Sequence, residues 1–219
     1  MRAGMEGPTY DRMAPVYQRI ADAYSLGCVP HAKDRQLSFV EPGMRVLYAG
    51  VGPGSAALDA ARRGADVTGI DLSPRMIDVA SRRFDAAGEV AELRVDDVLA
   101  YDPDRPFDIV VANFLLDCFD DGTRSDVAQR LHGFLYRGGR ILVADTGRPR
   151  GSRIGHAAWY LYHGIAYATT WIQGITPFVP VVELDACLGD AGFVIDEHVV
   201  HRPWRGGPVL FESIVGTRS

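Results

Sequence analysis

The sequence predicts an α/β protein built on a doubly wound, Rossmann-like seven-stranded sheet, mostly parallel with an antiparallel last strand. Three observations predict it. Short apolar runs alternate with amphipathic helical stretches from residue 45 to residue 145, the rhythm of a parallel sheet. A glycine-rich turn follows the first run, and an acid ends the second about twenty residues later. Two strand-like runs close the chain, so near each other in sequence that they read as an antiparallel pair.

The elements follow in order. Residues 8–40 read as an N-terminal helical cap. Tyr10, Met13, Ala14, Tyr17, Ile20, Ala21 and Tyr24 recur at helical spacing, and Pro15 splits that face because it removes a backbone donor. A second segment, 31–40, leads to the turn Glu41-Pro42-Gly43. Arg45 to Ala49 is a buried strand, Ser55 to Arg63 a helix and Asp66 to Ile70 the next strand. Ser73 caps and Pro74 opens a helix whose apolar stripe is Met76, Ile77, Ala80 and Phe84. Glu92 to Val95 and Phe107 to Ala112 are strands. Thr123 and Asp126 have capping-box spacing ahead of a helix carrying Val127, Leu131 and Phe134, and Gly138-Gly139 ends it. Arg140 to Ala144 is the fifth strand. The rhythm then breaks into an aromatic helical lid insert over 148–180, with Trp159, Tyr160, Tyr162, Tyr167, Trp171 and Phe178. A helix over 182–191 and strands at Phe193 to Val199 and Val209 to Val215 complete a single domain.

Composition narrows the function. The chain has 219 residues, 47% hydrophobic and 23% charged, the balance of one soluble domain. A net charge of −5 argues against a global nucleic-acid role, which needs a basic face. No run of about 18 apolar residues suggests an integral membrane segment, and Met1 to Glu6 lack the apolar stretch of a secretion signal. Cys28, Cys118 and Cys187 lie far apart, which disfavours a zinc or redox pair and reads as reduced thiols in a cytoplasmic protein. No metal site is expected. Lys33 is the only lysine.

The chemistry gathers at Val46-Leu47-Tyr48-Ala49-Gly50-Val51-Gly52-Pro53-Gly54. Glycines there permit positive φ and close approach of a ligand. Asp71 ends the next strand, where an acid accepts from ribose hydroxyls. A dinucleotide loop wants Gly-x-Gly-x-x-Gly, and here Ser55 stands at the third glycine. An NAD-dependent oxidoreductase is therefore the less favoured reading, and the missing Gly-Lys-Ser/Thr excludes a P-loop.

Two further segments stand at matching intervals: Gly69-Ile70-Asp71-Leu72-Ser73-Pro74-Arg75-Met76 and Leu135-Tyr136-Arg137-Gly138-Gly139-Arg140. With the loop, they closely resemble the class I S-adenosylmethionine-dependent methyltransferases. Tyr10 to Tyr17 is similar to the lead-in of the small-molecule enzymes of ubiquinone and menaquinone biosynthesis. The resemblance implies S-adenosylmethionine as cofactor and a small, apolar or aromatic acceptor. It implies that Gly50, Gly52 and Gly54 form the floor under the methionine part and ribose, and that Asp71 holds the ribose hydroxyls. Leu72, Met76 and Val98 would flank the adenine, with Asp97 accepting from its amino group and Asp96 as the competitor for that role. Asn113 would face the methionine ammonium, and Tyr17 would close over the cofactor. The family often has an acid where this chain has Tyr48. That departure keeps open a non-catalytic module that binds the cofactor without transferring its methyl.

A hydroxyl or carbon acceptor must also lose a proton, and histidine titrates in the right range. His156 and His163, seven residues apart in the aromatic insert, would share one helix face. They are the first candidates, and Asp117, just after the fourth strand, is the next. His132, His198 and His201 read as structural. In the insert, Ala157, Tyr160, Leu161, Gly164 and Ala168 can lie together at helical spacing. That face suits core packing, a homodimer surface or an apolar acceptor pocket.

Overall fold

In the computed structural model the described residues are 28–149, 153, 156–157, 159–164, 183–205 and 207–219. Helix α1 (Cys28–Leu37) precedes β1 (Arg45–Ala49), α2 (Ser55–Arg62), β2 (Asp66–Asp71), α3 (Pro74–Ala87), β3 (Glu92–Val95) and β4 (Phe107–Asn113). A one-turn 3₁₀ helix (Leu116–Cys118) leads into α4 (Asp121–Gly133) and β5 (Leu135–Thr146). Residues 159–164 are helical. Then come α5 (Leu184–Asp190), β6 (Phe193–His201) and β7 (Phe211–Arg218).

The strands form one sheet in the order β3-β2-β1-β4-β5-β7-β6. The first five pair in parallel, and β7 lies antiparallel between β5 and β6. The order reverses beside β1, so the carboxyl ends of β1 and β4 diverge there and open a crevice.

Strand alternation builds two core layers. Val46 and Tyr48 of β1, with Ile109 and Val111 of β4, pack under α2 and Phe84 of α3. Leu47, Ala49, Val110 and Ala112 face the other way, onto Leu131 of α4 and Leu184 and Leu188 of α5. Neighbouring residues point to opposite faces, so a strand covered on both sides reads as a continuous apolar run. Each fully buried Leu, Ile or Phe contributes about 1.5–3 kcal/mol by leaving water.

The α3 cap is as predicted: Ser73 Oγ accepts from Met76 N, and Pro74 sits in the first turn. Three local expectations are corrected. The N-cap of α4 is Asp120, whose carboxylate accepts from Thr123 N, rather than Thr123 itself. Gly138-Gly139 do not end α4. Phe134 caps it in helical conformation, and its carbonyl accepts from Phe107 N. The glycines lie inside β5, where pairing passes from Phe107↔Leu135 to Ile109↔Arg140. Gly138 takes φ +80° there, and a Cβ on Gly139 would stand 2.9 Å from the Tyr136 carbonyl. The glycine pair thus absorbs a bulge. In the insert, core packing is ruled out for the Tyr160 and Leu161 face, since both are exposed, while Trp159 and His163 are buried. Trp159 Nε1 donates to the Gly147 carbonyl at 2.7 Å, so the helix is turned to satisfy its indole.

Candidate cofactor cleft

The glycine turn leaves β1 with Gly50, Gly52 and Gly54 all at positive φ, +70°, +54° and +76°. Gly50 N and Val51 N both donate to the Ile70 carbonyl at 2.9 Å, which ties the turn to β2. Asp71 then fixes it: one carboxylate oxygen accepts from Gly52 N at 2.8 Å, the other from Ser73 N at 2.9 Å. A Cβ on Gly52 would meet no atom within 4 Å, and Gly52 lines the cleft. Gly54 has a packing role instead, because a Cβ there would come 2.8 Å from Ala80 Cβ on α3. Tyr48 fills the position of the family's acid. Its buried hydroxyl donates to the Ala56 carbonyl at 3.0 Å, and burial holds it well above the usual phenol range.

Beyond the turn the cleft is walled by Leu72, Met76, Asp96 and Val98 on the β2–β3 side. Asn113, Phe114, Leu115, Cys118 and Phe119 wall the β4 side, and Lys33 lines it from α1. Asp71 and Asp96 are thus the two acids in the lining among the described residues. Asp97 lies beside it, its carboxylate accepting from Leu99 N at 2.9 Å.

Asn113 is held by a partner that sequence reasoning did not find. Gln36, 6% exposed on α1, donates to Asn113 Oδ1 at 2.8 Å and accepts from Asn113 Nδ2 at 2.8 Å. The same Oδ1 accepts from Ala144 N. Phe114 follows at φ +53°, a strained value for a bulky residue. Its ring meets Phe211 edge-on at 5.7 Å, and both pack with Leu210 and Tyr162 of the insert helix.

The proton-transfer candidates fall in different places. His156 is exposed. His163 is buried, with its ring 4.4 Å from that of Trp159 and 6.0 Å from that of Phe211. Burial pulls its pKa down to about 4, against a hydrogen bond to the Leu210 backbone. Asp117 sits in the 3₁₀ turn, flanked by cleft-lining residues. Its carboxylate faces the carboxyl of Asp145, which is fully buried on β5. One Asp145 oxygen accepts from Thr146 N and the other from Asp117 N. Burial first, and then the Asp117 charge, hold Asp145 well above the usual carboxylate range. His198 bonds the buried Glu212 at 2.7 Å, and His201 bonds Ser213 at 2.8 Å. His132 stacks edge-on against Phe193. Tyr17 and the rest of the N-terminal cap before residue 28 lie outside the described residues, as do 165–182 of the insert.

The donor set suits an adenosyl cofactor without phosphates. Two acids can accept from ribose and adenine, glycine backbone leaves room for a ligand, and among the described residues the lining carries no arginine and one lysine, Lys33. Among the described residues no group of His, Cys, Asp or Glu could hold a metal, and no helix is long and apolar enough to cross a membrane.

Comparison with known proteins agrees. A family model described as a methyltransferase domain matches residues 46–139. The chain is 34% identical over 113 residues to a demethylmenaquinone methyltransferase of Tropheryma whipplei, covering 51% of this chain and 45% of that one. It thus spans less than half of that relative's length. It is 30% identical over 179 residues to a ubiquinone biosynthesis O-methyltransferase of Xanthomonas axonopodis, covering 76% of this chain and 70% of that one. Magnesium protoporphyrin IX methyltransferase from Synechocystis PCC 6803, solved with bound S-adenosylmethionine, shares the fold with a TM-score of 0.69 at 16% identity, over all of both chains. The chain belongs to the class I S-adenosylmethionine-dependent methyltransferases.

Proposed function

We propose that this chain transfers a methyl group from S-adenosylmethionine to a small acceptor with an apolar or aromatic body. The observation that carries the reading is the clamp of Asp71 on the Gly52 turn, open to a cleft walled by Leu72, Met76, Asp96 and Val98. Asp71 takes the ribose hydroxyls, Leu72, Met76 and Val98 the adenine, and Gly50 and Gly52 the floor. Asp96 takes the adenine amino group in place of Asp97, since it is Asp96 that lines the cleft. Held there, the cofactor would supply an electrophilic methyl to the acceptor's electron pair, with the pair of the broken carbon–sulfur bond kept on sulfur and the acceptor's proton passing to solvent. The protein's work is alignment and exclusion of water.

No histidine lines the cleft among the described residues, so this reading assigns no base to His156 or His163. Asp117 is a structural partner of Asp145 in it. A small-molecule partner belongs to the same reading, supported by the mixed apolar and acidic lining of the cleft, and a cytoplasmic location goes with the spacing of Cys28, Cys118 and Cys187. A second reading, binding without transfer, is favoured by Tyr48, whose buried hydroxyl replaces the usual acid.

Calorimetry with S-adenosylhomocysteine on wild type and Asp71→Ala tests the site. Binding that is lost by roughly a hundredfold in the variant, the scale of two charge-assisted hydrogen bonds, supports it. Unchanged affinity overturns it. Turnover to S-adenosylhomocysteine in the presence of a phenolic or quinol acceptor rules out the second reading.

A further inference from the structure

Phe114 is the only non-glycine residue at positive φ among the described residues, at +53°. The left-handed region is costly for a bulky side chain. Such strain persists only where its surroundings hold it, and it gathers at ligand sites. Here the surroundings hold it from both sides. Phe114 N donates to the Ala144 carbonyl at 2.9 Å. Asn113, just before it, is pinned by Gln36 and by Ala144 N. Leu115, just after it, packs on the glycine turn, since a Cβ on Gly50 would come 3.3 Å from Leu115 Cδ1. The Phe114 ring also ends a row of rings that starts in the insert helix. Trp159 and His163 stand 4.4 Å apart, His163 and Phe211 6.0 Å, and Phe211 and Phe114 5.7 Å. Within that row it is Phe114 that lines the cleft, and it is only half-buried. The strained turn therefore sets an aromatic residue, backed by β7 and the insert helix, in the β4 wall of the cleft.

We propose that Phe114 is a specificity-determining residue of this cleft, the platform on which the planar ring of an aromatic acceptor lies. The inference rests on the cofactor reading above and narrows its acceptor from apolar to aromatic. Adenosine at Asp71 and Asp96 occupies the β2–β3 side. The reacting end of the cofactor then lies toward β4, across β1 in the sheet order, where Asn113 ends the strand and Phe114 follows. An acceptor that meets the methyl there meets Phe114. Two aromatic rings in offset or edge-on contact attract each other beyond what their buried area supplies. A saturated acceptor of similar size gains the burial without that attraction.

The test is calorimetry on the full chain saturated with S-adenosylhomocysteine, in wild type, Phe114→Leu, Phe114→Ala and Phe114→Gly. 2-Naphthol is compared with decahydro-2-naphthol, which has the same carbon skeleton and hydroxyl without the flat rings. Phe114→Leu keeps apolar bulk, and Phe114→Gly relaxes the backbone. The expected result is a loss of 2-naphthol affinity in every variant of about threefold or more, the scale of one aromatic pair. In Phe114→Leu, decahydro-2-naphthol and S-adenosylhomocysteine should bind as in wild type. Urea unfolding should find Phe114→Gly more stable than Phe114→Ala, the signature of a left-handed residue under strain. Equal loss of both alcohols in Phe114→Leu, unchanged 2-naphthol binding, or no 2-naphthol binding by the loaded wild type overturns the proposal. So does a matching loss of S-adenosylhomocysteine in Phe114→Leu, which would put Phe114 in the cofactor site. Equal stability of the Ala and Gly variants would remove the strain, and the proposal with it. Failure of the wild type to bind S-adenosylhomocysteine overturns the cofactor reading instead.

Discussion

Gln36 and Asn113 face each other through a closed pair of amide hydrogen bonds, both 2.8 Å, across 77 residues of sequence. The pair joins the helix before the sheet to the carboxyl end of β4, where the cleft opens. With Ala144 N also bonded to it, Asn113 Oδ1 has both lone pairs used. Asn113 is therefore first a strut: it sets the distance between α1 and the sheet.

Gln36→Leu should break the strut and leave the half-buried Asn113 amide with a donor that lacks its protein partner. The cost is about 0.5–1.5 kcal/mol for each hydrogen bond lost, and urea denaturation reads it. S-adenosylhomocysteine affinity should fall as well, because the cleft wall loosens. Gln36→Glu should be worse than Leu at pH 8 and better than Leu at pH 4, where a protonated carboxyl can restore the donor–acceptor pairing.

Gly54 and Gly88 separate two costs that glycine conceals. Both take φ near +70°, but a Cβ on Gly54 meets Ala80 at 2.8 Å, whereas one on Gly88 meets nothing within 4 Å. Gly88→Ala should cost about 1 kcal/mol, the strain of a left-handed residue. Gly54→Ala should cost about 1–3 kcal/mol more, because α2 must move off α3. Equal thermal shifts for the two variants would show that the helices part without penalty.

Much of this was legible in the sequence because it is local. Gly50, Gly52 and Asp71 declare themselves through strand-turn-helix rhythm, and Ser73-Pro74 through its cap. The misreadings share a cause: one local signal serves two structures. Gly138-Gly139 can stop a helix or absorb a bulge, and only the pairing of β5 with β4 decides between them. Asp96 and Asp97 are adjacent acids after β3, and their order in sequence does not say that it is Asp96 that lines the cleft. The face of the insert helix was set by an indole seeking the Gly147 carbonyl, which composition cannot show. Gln36 had no signal, since its partner lies a sheet away.

His163 should make stability fall in acid. Its folded pKa, about 4, lies below the ordinary 6.5. Between those values the unfolded chain takes up a proton that the folded chain refuses, so stability is lost as pH falls from about 6.5 to about 4 and is fully present above. The ceiling is about 3 kcal/mol, from roughly 1.4 kcal/mol per unit. His163→Phe keeps an aromatic ring against Trp159 and Phe211 and removes the titration. Its stability relative to wild type should therefore rise as pH drops through that window, measured by urea unfolding at pH 7, 5.5 and 4.5. A constant difference across the three would mean that the imidazole is accessible to protons in the fold.

Asp145 should act in the opposite direction. A carboxyl held above its ordinary range keeps its proton in the fold where the unfolded chain has released it. Stability from this group is then present at low pH and is lost as pH rises above about 3.8, toward the raised folded value. Asp145→Asn has the same shape, can accept from one of the backbone donors at Asp117 and Thr146, and can donate an amide hydrogen to the Asp117 carboxylate. It carries no charge to bury. The variant should therefore gain on wild type as pH rises from 4 to 7, with a melting temperature a few degrees higher at pH 7 and little difference at pH 4. Asp117→Asn should produce the same trend more weakly, by removing the repelling charge while leaving the burial. If Asp145→Asn is instead destabilised equally at every pH, the pair shares no proton, and the carboxylate of Asp145 is serving only as an acceptor for the two backbone N–H groups.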